Sequence, residues 1–517
     1  MNLIPNNPGE TPSYWFTWGV QNHSLGKEQL GNQPLNARVF EGSRGARLAR
    51  DNLNEKLVFQ NPGWITNFYS KVRGDLYVVF DDGWDVPYGV HPQEKPWRFG
   101  SLELNEERFP SCSGTPEERL RKLNEKVKAV GWRGAGLWVA AQCMGDGKDG
   151  RLLEDHEVEK YWRERAKWCR YAGIEYWKVD WGMRCNSLDF RRMLTHICRE
   201  EAPNIMVEHA VCSGPLNDAP DGEGRFHSWS DIRRRSLETI AFSDVFRTYD
   251  VTRHLSVATT LDRVAELLTA GIVEPGVQGL LNTEDEVYLG AALGCALGIG
   301  RHPLWRERPG QDYDPRRLRK RADEVTRAVR WQRLAPAFGI DKTKTIVDEN
   351  ILTDSWYFKR GDTWASSIIG KEITQSAPAR IARGIGLPRV EANGPVPFVV
   401  ASRNPNGAIA IATLPRTFRE KGIFTPPADV SIDVGEGRSP IGVFGFYRTL
   451  TLNFSSPLGN KRIWAQDLAG DEAVDVTDQI VRAEKTATLT GDLINKIGLA
   501  AATPGDVSDP GLVLFIQ

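Results

Sequence analysis

The chain predicts an α/β protein: a (β/α)8 TIM barrel over residues 1–335, followed by a C-terminal antiparallel β-sandwich over residues 336–517. Three observations lead there. From about residue 14 to 305, short apolar runs alternate with helical patterns, which implies βα units and a parallel sheet. Several of those runs end in carboxylates, from Asp81 through to Asp250, and no glycine-rich phosphate loop follows the first strand. That suits a barrel, whose site is assembled at C-terminal strand ends, better than a doubly wound sheet. After about residue 340 the chain turns to Thr, Val and Ile in short runs separated by Gly, Pro and Asn, the texture of a sandwich.

Taken in order, Leu76-Tyr77-Val78-Val79-Phe80 reads as a buried strand ending in Asp81-Asp82-Gly83-Trp84. Thr115-Pro116-Glu117-Glu118 is a helix start: Thr at the N-cap, Pro at the first helical position, Glu118 closing a capping box. Leu120, Leu123, Val127 and Val130 then recur at helical spacing up to Gly131. Gly136 to Ala141 reads as a strand, and 155–172 as a helix closing at Gly173. Ile174 to Asp180 is a strand, 187–201 a helix, Ile205 to His209 a strand and Val245 to Asp250 another. Leu261 to Leu268 and Asp285 to Leu297 read as helical. Beyond these lie the strand runs Ser355–Phe358, Phe398–Ala401, Ala408–Ala412 and Leu512–Ile516.

Composition narrows the function. Lys and Arg number 66 against 67 Asp and Glu, so no basic field draws the chain to nucleic acid or an anionic membrane. No run approaches the roughly 20 apolar residues that span a bilayer. The seven cysteines lack paired spacing, no CxxC or HExxH occurs, and neither a disulfide framework nor a zinc site is expected. Met1-Asn2-Leu3-Ile4-Pro5 lacks a secretory pattern, so a cytoplasmic location is expected, with a removed leader left open. The basic run Arg316 to Arg321 is read as a solvated helix face. Seventeen tryptophans beside five methionines stand out, because indoles both fill cores and stack on sugar rings.

Carboxylates on several barrel strands converge over one mouth. Acetal cleavage needs such a set: one group protonates the leaving oxygen and another attacks or shields the anomeric carbon. Lys178 and Asp180 are two apart on a strand and share a face, and a cation keeps a neighbouring carboxyl ionised. Asp180 is therefore the candidate nucleophile, and Asp250, beside Tyr249, the candidate proton donor. Asp244 competes as donor but precedes its apolar run. Asp231 reads as a helix N-terminal residue, and His209 as a satisfied barrel histidine. Trp15, Trp18 and Trp84 divide evenly between sugar stacking and packing.

Tyr176-Trp177-Lys178-Val179-Asp180-Trp181 resembles the nucleophile strand of clan D glycoside hydrolases, the α-galactosidase families 27 and 36. Asp81-Asp82-Gly83-Trp84 resembles their second-strand motif, and Gly100-Ser101-Leu102 through Arg108-Phe109-Pro110 the segment after it. Gly136 to Val139 resembles the third strand. Glu208 followed by Cys212-Ser213-Gly214 is similar to the fifth-strand turn of family 36, and Phe246 to Asp250 looks like the acid/base strand. The order is collinear over roughly residues 14–305. The pattern departs at Ala140-Ala141-Gln142-Cys143 and at Gly182.

The resemblance implies a retaining, exo-acting α-glycoside hydrolase acting on an oligosaccharide or glycoside, with Asp180 as nucleophile and Asp250 as acid/base. Asp81, Asp82, Lys178, Trp18, Trp84, Cys212 and Arg247 are then the expected substrate-binding residues. No cofactor or metal is called for. Galactose is the default sugar, with other α-glycosides and β-L-arabinopyranosides open. A transglycosylase of the same fold and a non-catalytic carbohydrate-binding barrel are the rival readings, and the oligomeric state, a homo-oligomer included, is open.

Overall fold

A computed structural model describes residues 1–23, 49–92, 94–210, 229–248, 254–303, 321–359, 370–419 and 421–517. Eight strands form one sheet: β1 (Tyr14–Phe16), β2 (Tyr77–Phe80), β3 (Gly134–Val139), β4 (Tyr176–Val179), β5 (Met206–Ala210), β6 (Val245–Arg247), β7 (Leu280–Asn282) and β8 (Gly298–Ile299). Their order is β7-β6-β5-β4-β3-β2-β1-β8, every pair parallel. A bridge between Asn282 and Ala296 brings the two ends together, so the sheet is a nearly closed (β/α)8 barrel.

Beyond three short helices between β1 and β2, the intervening helices among the described residues are α1 (Pro116–Ala129), α2 (Asp155–Ala172), α3 (Leu188–Glu201), α4 (Trp229–Ile240), α5 (Ser256–Ala270) and α6 (Val287–Leu293). The capping box opening α1 is present: Thr115 N–H donates to Glu118 Oε2 at 3.0 Å, and Leu120, Leu123 and Val127 are buried. Helix α2 ends at Gly173, whose φ of 65° is the left-handed conformation glycine adopts without a steric penalty. The expected helix over 285–297 is shorter. Helix α6 stops at Gly294, where a Cβ would fall 2.1 Å from the Phe338 ring, and the chain turns there toward β8.

Strand β4 shows how the sequence sorts its faces. Tyr176 and Lys178 point into the barrel, while Trp177 packs outward, 5.7 Å from Trp162 of α2. Its indole donates to the Cys169 sulfur at 3.3 Å.

The C-terminal half holds an eight-stranded and a five-stranded sheet, mainly antiparallel with three parallel pairs. In the larger sheet Phe398–Arg403, Ile409–Leu414, Ile441–Phe444 and Gly511–Ile516 are neighbours, and both of their faces are buried. Val399, Ile411 and Leu512 meet Ile432, Leu452 and Leu489 of the smaller sheet. The alternating Phe398, Val400 and Ala410 join the barrel's core instead. Helix α7 (Ala322–Gln332) lies at that seam. Its Arg327 makes a two-pronged, fully buried pair with Asp467, at 2.9 and 3.0 Å.

Candidate active site

Asp180 immediately follows β4 and carries a half-buried carboxylate. Its amide donates to Val139 O at 2.9 Å and its carbonyl accepts from Arg191 NH2 at 3.0 Å, so the backbone is pinned on both sides. Asp180 Oδ1 accepts from Arg247 NH2 at 2.9 Å, and Oδ2 from the Trp138 indole at 2.9 Å, with Lys178 Nζ 3.9 Å away. Burial alone would raise this carboxyl. Arg247 and Lys178, helped by Trp138, outweigh that and hold it well below the usual carboxylate range. The side chain keeps 18% of its surface open.

Lys178 is placed by its strand register opposite Trp138 of β3, so both turn into the barrel. Its ammonium pairs with Asp81 Oδ2 at 2.9 Å. Burial works against the charged lysine, but Asp81 and Asp180 more than compensate and the ammonium is retained. Asp82 turns to Arg50, whose Nε reaches Oδ1 at 2.7 Å, and the Trp181 indole donates to Oδ2 at 3.2 Å. Arg50 in turn lies 5.9 Å from the Trp18 ring centre, 5.5 Å from Phe99 and 5.8 Å from Trp181.

Beneath this cluster a second layer fills the barrel. Glu208 Oε1 accepts from Tyr14 OH at 2.9 Å, and Oε2 from Tyr176 OH at 2.8 Å and Asn282 Nδ2 at 2.6 Å. Full burial pushes the Glu208 carboxyl upward against the pull of Arg247.

The structure thus brings together Asp81, Lys178, Asp180 and Arg247, with Asp82 and Trp18 beside them. Trp84 has no exposed surface; its indole donates to the Trp138 carbonyl at 2.8 Å and steadies the end of β3. Trp15 is equally buried, against Phe68 and Trp132. Asp250, Cys212 and residues 316–320 of the basic run lie outside the described residues, as does the side chain of Asp231. Arg321, the last of that run, is not on a solvated face: it is buried and paired with Glu324 and Asp509. Asp244 is structural: its Oδ2 accepts from Val207 N at 2.9 Å and pairs with Arg199. His209 is held between Thr195 Oγ1 at 2.9 Å and Arg191 NH1 at 3.3 Å, and burial drives its pKa well down. Gly182 has a steric reason: a Cβ there would lie 2.6 Å from the Ala141 backbone. Among the described residues no group of acidic, His and Cys side chains is arranged to hold a metal ion.

No family model and no curated protein matches the chain. Among solved structures it is similar to a GH27 β-L-arabinopyranosidase from Geobacillus stearothermophilus, at 11% identity over 99% of this chain and 97% of that one, with a TM-score of 0.39. It is also similar to the α-galactosidase of Saccharomyces cerevisiae, at 10% identity over 98% of each chain, TM-score 0.36. The carboxyl transferase domain of Rhizobium etli pyruvate carboxylase matches 55% of this chain and 37% of its own, at 15% identity and a TM-score of 0.27. The barrel itself is evident from the strand pairing of this chain.

Four residues of the site carry little or no signal in the sequence. Trp138 and Trp181 sit inside motifs quoted above, but nothing distinguishes their indoles from core aromatics until the strands are aligned. Arg50 is 32 residues from its partner Asp82. Glu284 lies two residues past β7, a strand-end carboxylate like Asp180, and its Oε2 is 3.3 Å from Arg247 NH1.

Proposed function

We propose that this chain is a retaining α-glycoside hydrolase, α-galactosidase-like, that removes a terminal sugar through a covalent glycosyl-enzyme. The supporting observation is Asp180: an ionised carboxylate at the barrel mouth, held by Lys178 and Arg247 and still partly open. In the first step an Asp180 oxygen bonds to the anomeric carbon, the bond to the leaving oxygen breaks, and Asp250 gives that oxygen a proton. In the second, Asp250 takes a proton from water, which displaces Asp180. The Arg247 guanidinium and Trp138 indole orient the carboxylate, and Asp81 and Asp82, paired with Lys178 and Arg50, are assigned to reading sugar hydroxyls.

The test is a panel of aryl glycosides: α-galactoside, α-glucoside, α-N-acetylgalactosaminide and β-L-arabinopyranoside. One should turn over with net retention. Azide should rescue Asp180→Gly to a product of inverted configuration, and Asp250→Gly should keep activity on good leaving groups far better than on natural glycosides. An Asp180→Asn variant as fast as wild type would refute the reading.

A further inference from the structure

Two places depart from the clan D pattern, Ala140-Ala141-Gln142-Cys143 and Gly182, and the fold gives them a common use. Gln142 is fully buried. Its Nε2 donates to the Pro96 and Phe99 carbonyls at 2.7 and 3.1 Å, and its Oε1 accepts from Met183 N–H at 3.0 Å. One side chain thus ties together the loops that leave β2, β3 and β4. Gly145 N–H donates to Trp97 O at 2.8 Å, and Ala141 N–H to Trp181 O at 2.8 Å. Arg184 closes two-pronged on the buried Asp146, at 2.7 and 3.0 Å. Gly182 lets the third loop lie directly on the Ala141 backbone.

These braced loops carry apolar side chains that face water. Met144 and Met183 are 43% and 49% exposed, and Trp97 is half-buried. The chain has five methionines. Met193 and Met206 pack against the core and Met1 is terminal, so the other two both stand on loops at the C-terminal ends of barrel strands, the end that carries Asp180. Met183 follows Asp180 by three residues. Its methyl lies over Gly147 of the neighbouring loop, where a Cβ would come within 3.1 Å of it. A thioether donates no hydrogen bond and accepts one weakly, so it reads hydroxyls poorly, but it is polarizable and moulds itself to hydrocarbon and aromatic faces. Holding such side chains on a rigid frame lowers the ordering cost of binding.

We propose that Met144, Met183 and Trp97 receive the leaving group of the substrate, and that this group is an apolar aglycone, alkyl or aryl, in place of a second sugar. The proposal rests on the hydrolase reading, in which Asp81 and Asp82 hold the terminal sugar and the group beyond the cleaved bond extends outward past these loops.

The test compares hexyl and methyl glycosides of the sugar that the aryl panel selects, or α-galactosides if it selects none. The two release alcohols of nearly equal acidity, so the bond to be broken is equally hard. Wild type should favour the hexyl glycoside about 10-fold or more in kcat/KM. In Met144→Ser/Met183→Ser that ratio should fall toward one, and Met144→Leu/Met183→Leu should restore most of it. A ratio near one in wild type would overturn the proposal, and so would a ratio that the serine variant leaves unchanged. A disaccharide of the same sugar cut faster than the hexyl glycoside would assign the surface to a second sugar instead. Loss of the ratio in the leucine variant as well would mark the methionines as packing residues. If no glycoside turns over, the hydrolase reading falls, and calorimetry on the same proteins decides the apolar surface separately. The hexyl glycoside should then bind about 10-fold tighter than the methyl one, with the preference lost in the serine variant, and equal binding would overturn it.

Discussion

Arg247 reaches from β6 across the intervening strand to Asp180 at the end of β4, and the two meet at 2.9 Å. The barrel makes this contact available because both side chains turn inward above the Glu208 layer. It fixes one oxygen of the carboxylate, and the Trp138 indole fixes the other.

Removing that cation should change the acid tolerance of the proposed activity. In the proposed mechanism Asp180 attacks as its anion, and Arg247 is the largest of the influences that lower its carboxyl. In Arg247→Ala the acid limb of the pH–kcat/KM profile should move upward by about one to two units. An unmoved limb would show that Asp180 does not set it.

Trp138→Phe deletes the indole donor while keeping an aromatic ring against Trp181, now 5.3 Å away. Loss of one oriented hydrogen bond to the proposed nucleophile should cut kcat roughly 10- to 100-fold with little change in KM. A rise in KM at constant kcat would assign the ring to substrate binding instead.

Gly182→Ala tests the close approach of the β3 and β4 ends. The added methyl would lie 2.6 Å from the Ala141 carbonyl, so backbone must shift. We expect about 1–3 kcal/mol of lost stability in urea unfolding and a larger fractional loss of activity, since Asp180 is two residues away. A fully active, fully stable variant would contradict this geometry.

Asp85 gives a prediction in pH and stability. Burial, with the Asp82 charge close by, pushes its carboxyl up to about 7, and its Oδ1 has no hydrogen-bond partner among the described residues. An unfolded Asp titrates near 3.9, so between about pH 4 and 7 the folded chain holds a proton that the unfolded chain has released. Stability therefore falls as pH rises through that window and levels off above it. Asp85→Asn should remove this slope, gaining relative to wild type by a few kcal/mol at most between pH 4 and 8. Parallel urea-unfolding series for the two proteins would expose the difference, and identical slopes would count against it.

The elements most legible in the sequence were those whose signals are local. Helix α2 spans the predicted residues because its apolar period and its terminal glycine sit within one segment. The Thr115 capping box is four adjacent residues. Strands β1, β7 and β8 are only two or three residues long and owe their existence to distant partners, so alternation cannot reveal them. The site divides the same way. Lys178 and Asp180 share one strand and could be paired by spacing. The Arg50–Asp82 and Arg247–Glu284 pairs depend on neighbouring strands lying side by side, β1 with β2 and β6 with β7, which no window of sequence contains.

The larger C-terminal sheet is covered on one side by the barrel and on the other by its companion sheet. It behaves as a shared wall between two rooms rather than as the outer face of either. Cutting the chain near residue 340 would strip that wall from the barrel and leave Phe398, Val400 and Ala410 facing water on the other fragment. Neither piece is expected to stay in solution unaided, and the intact chain should melt in a single step.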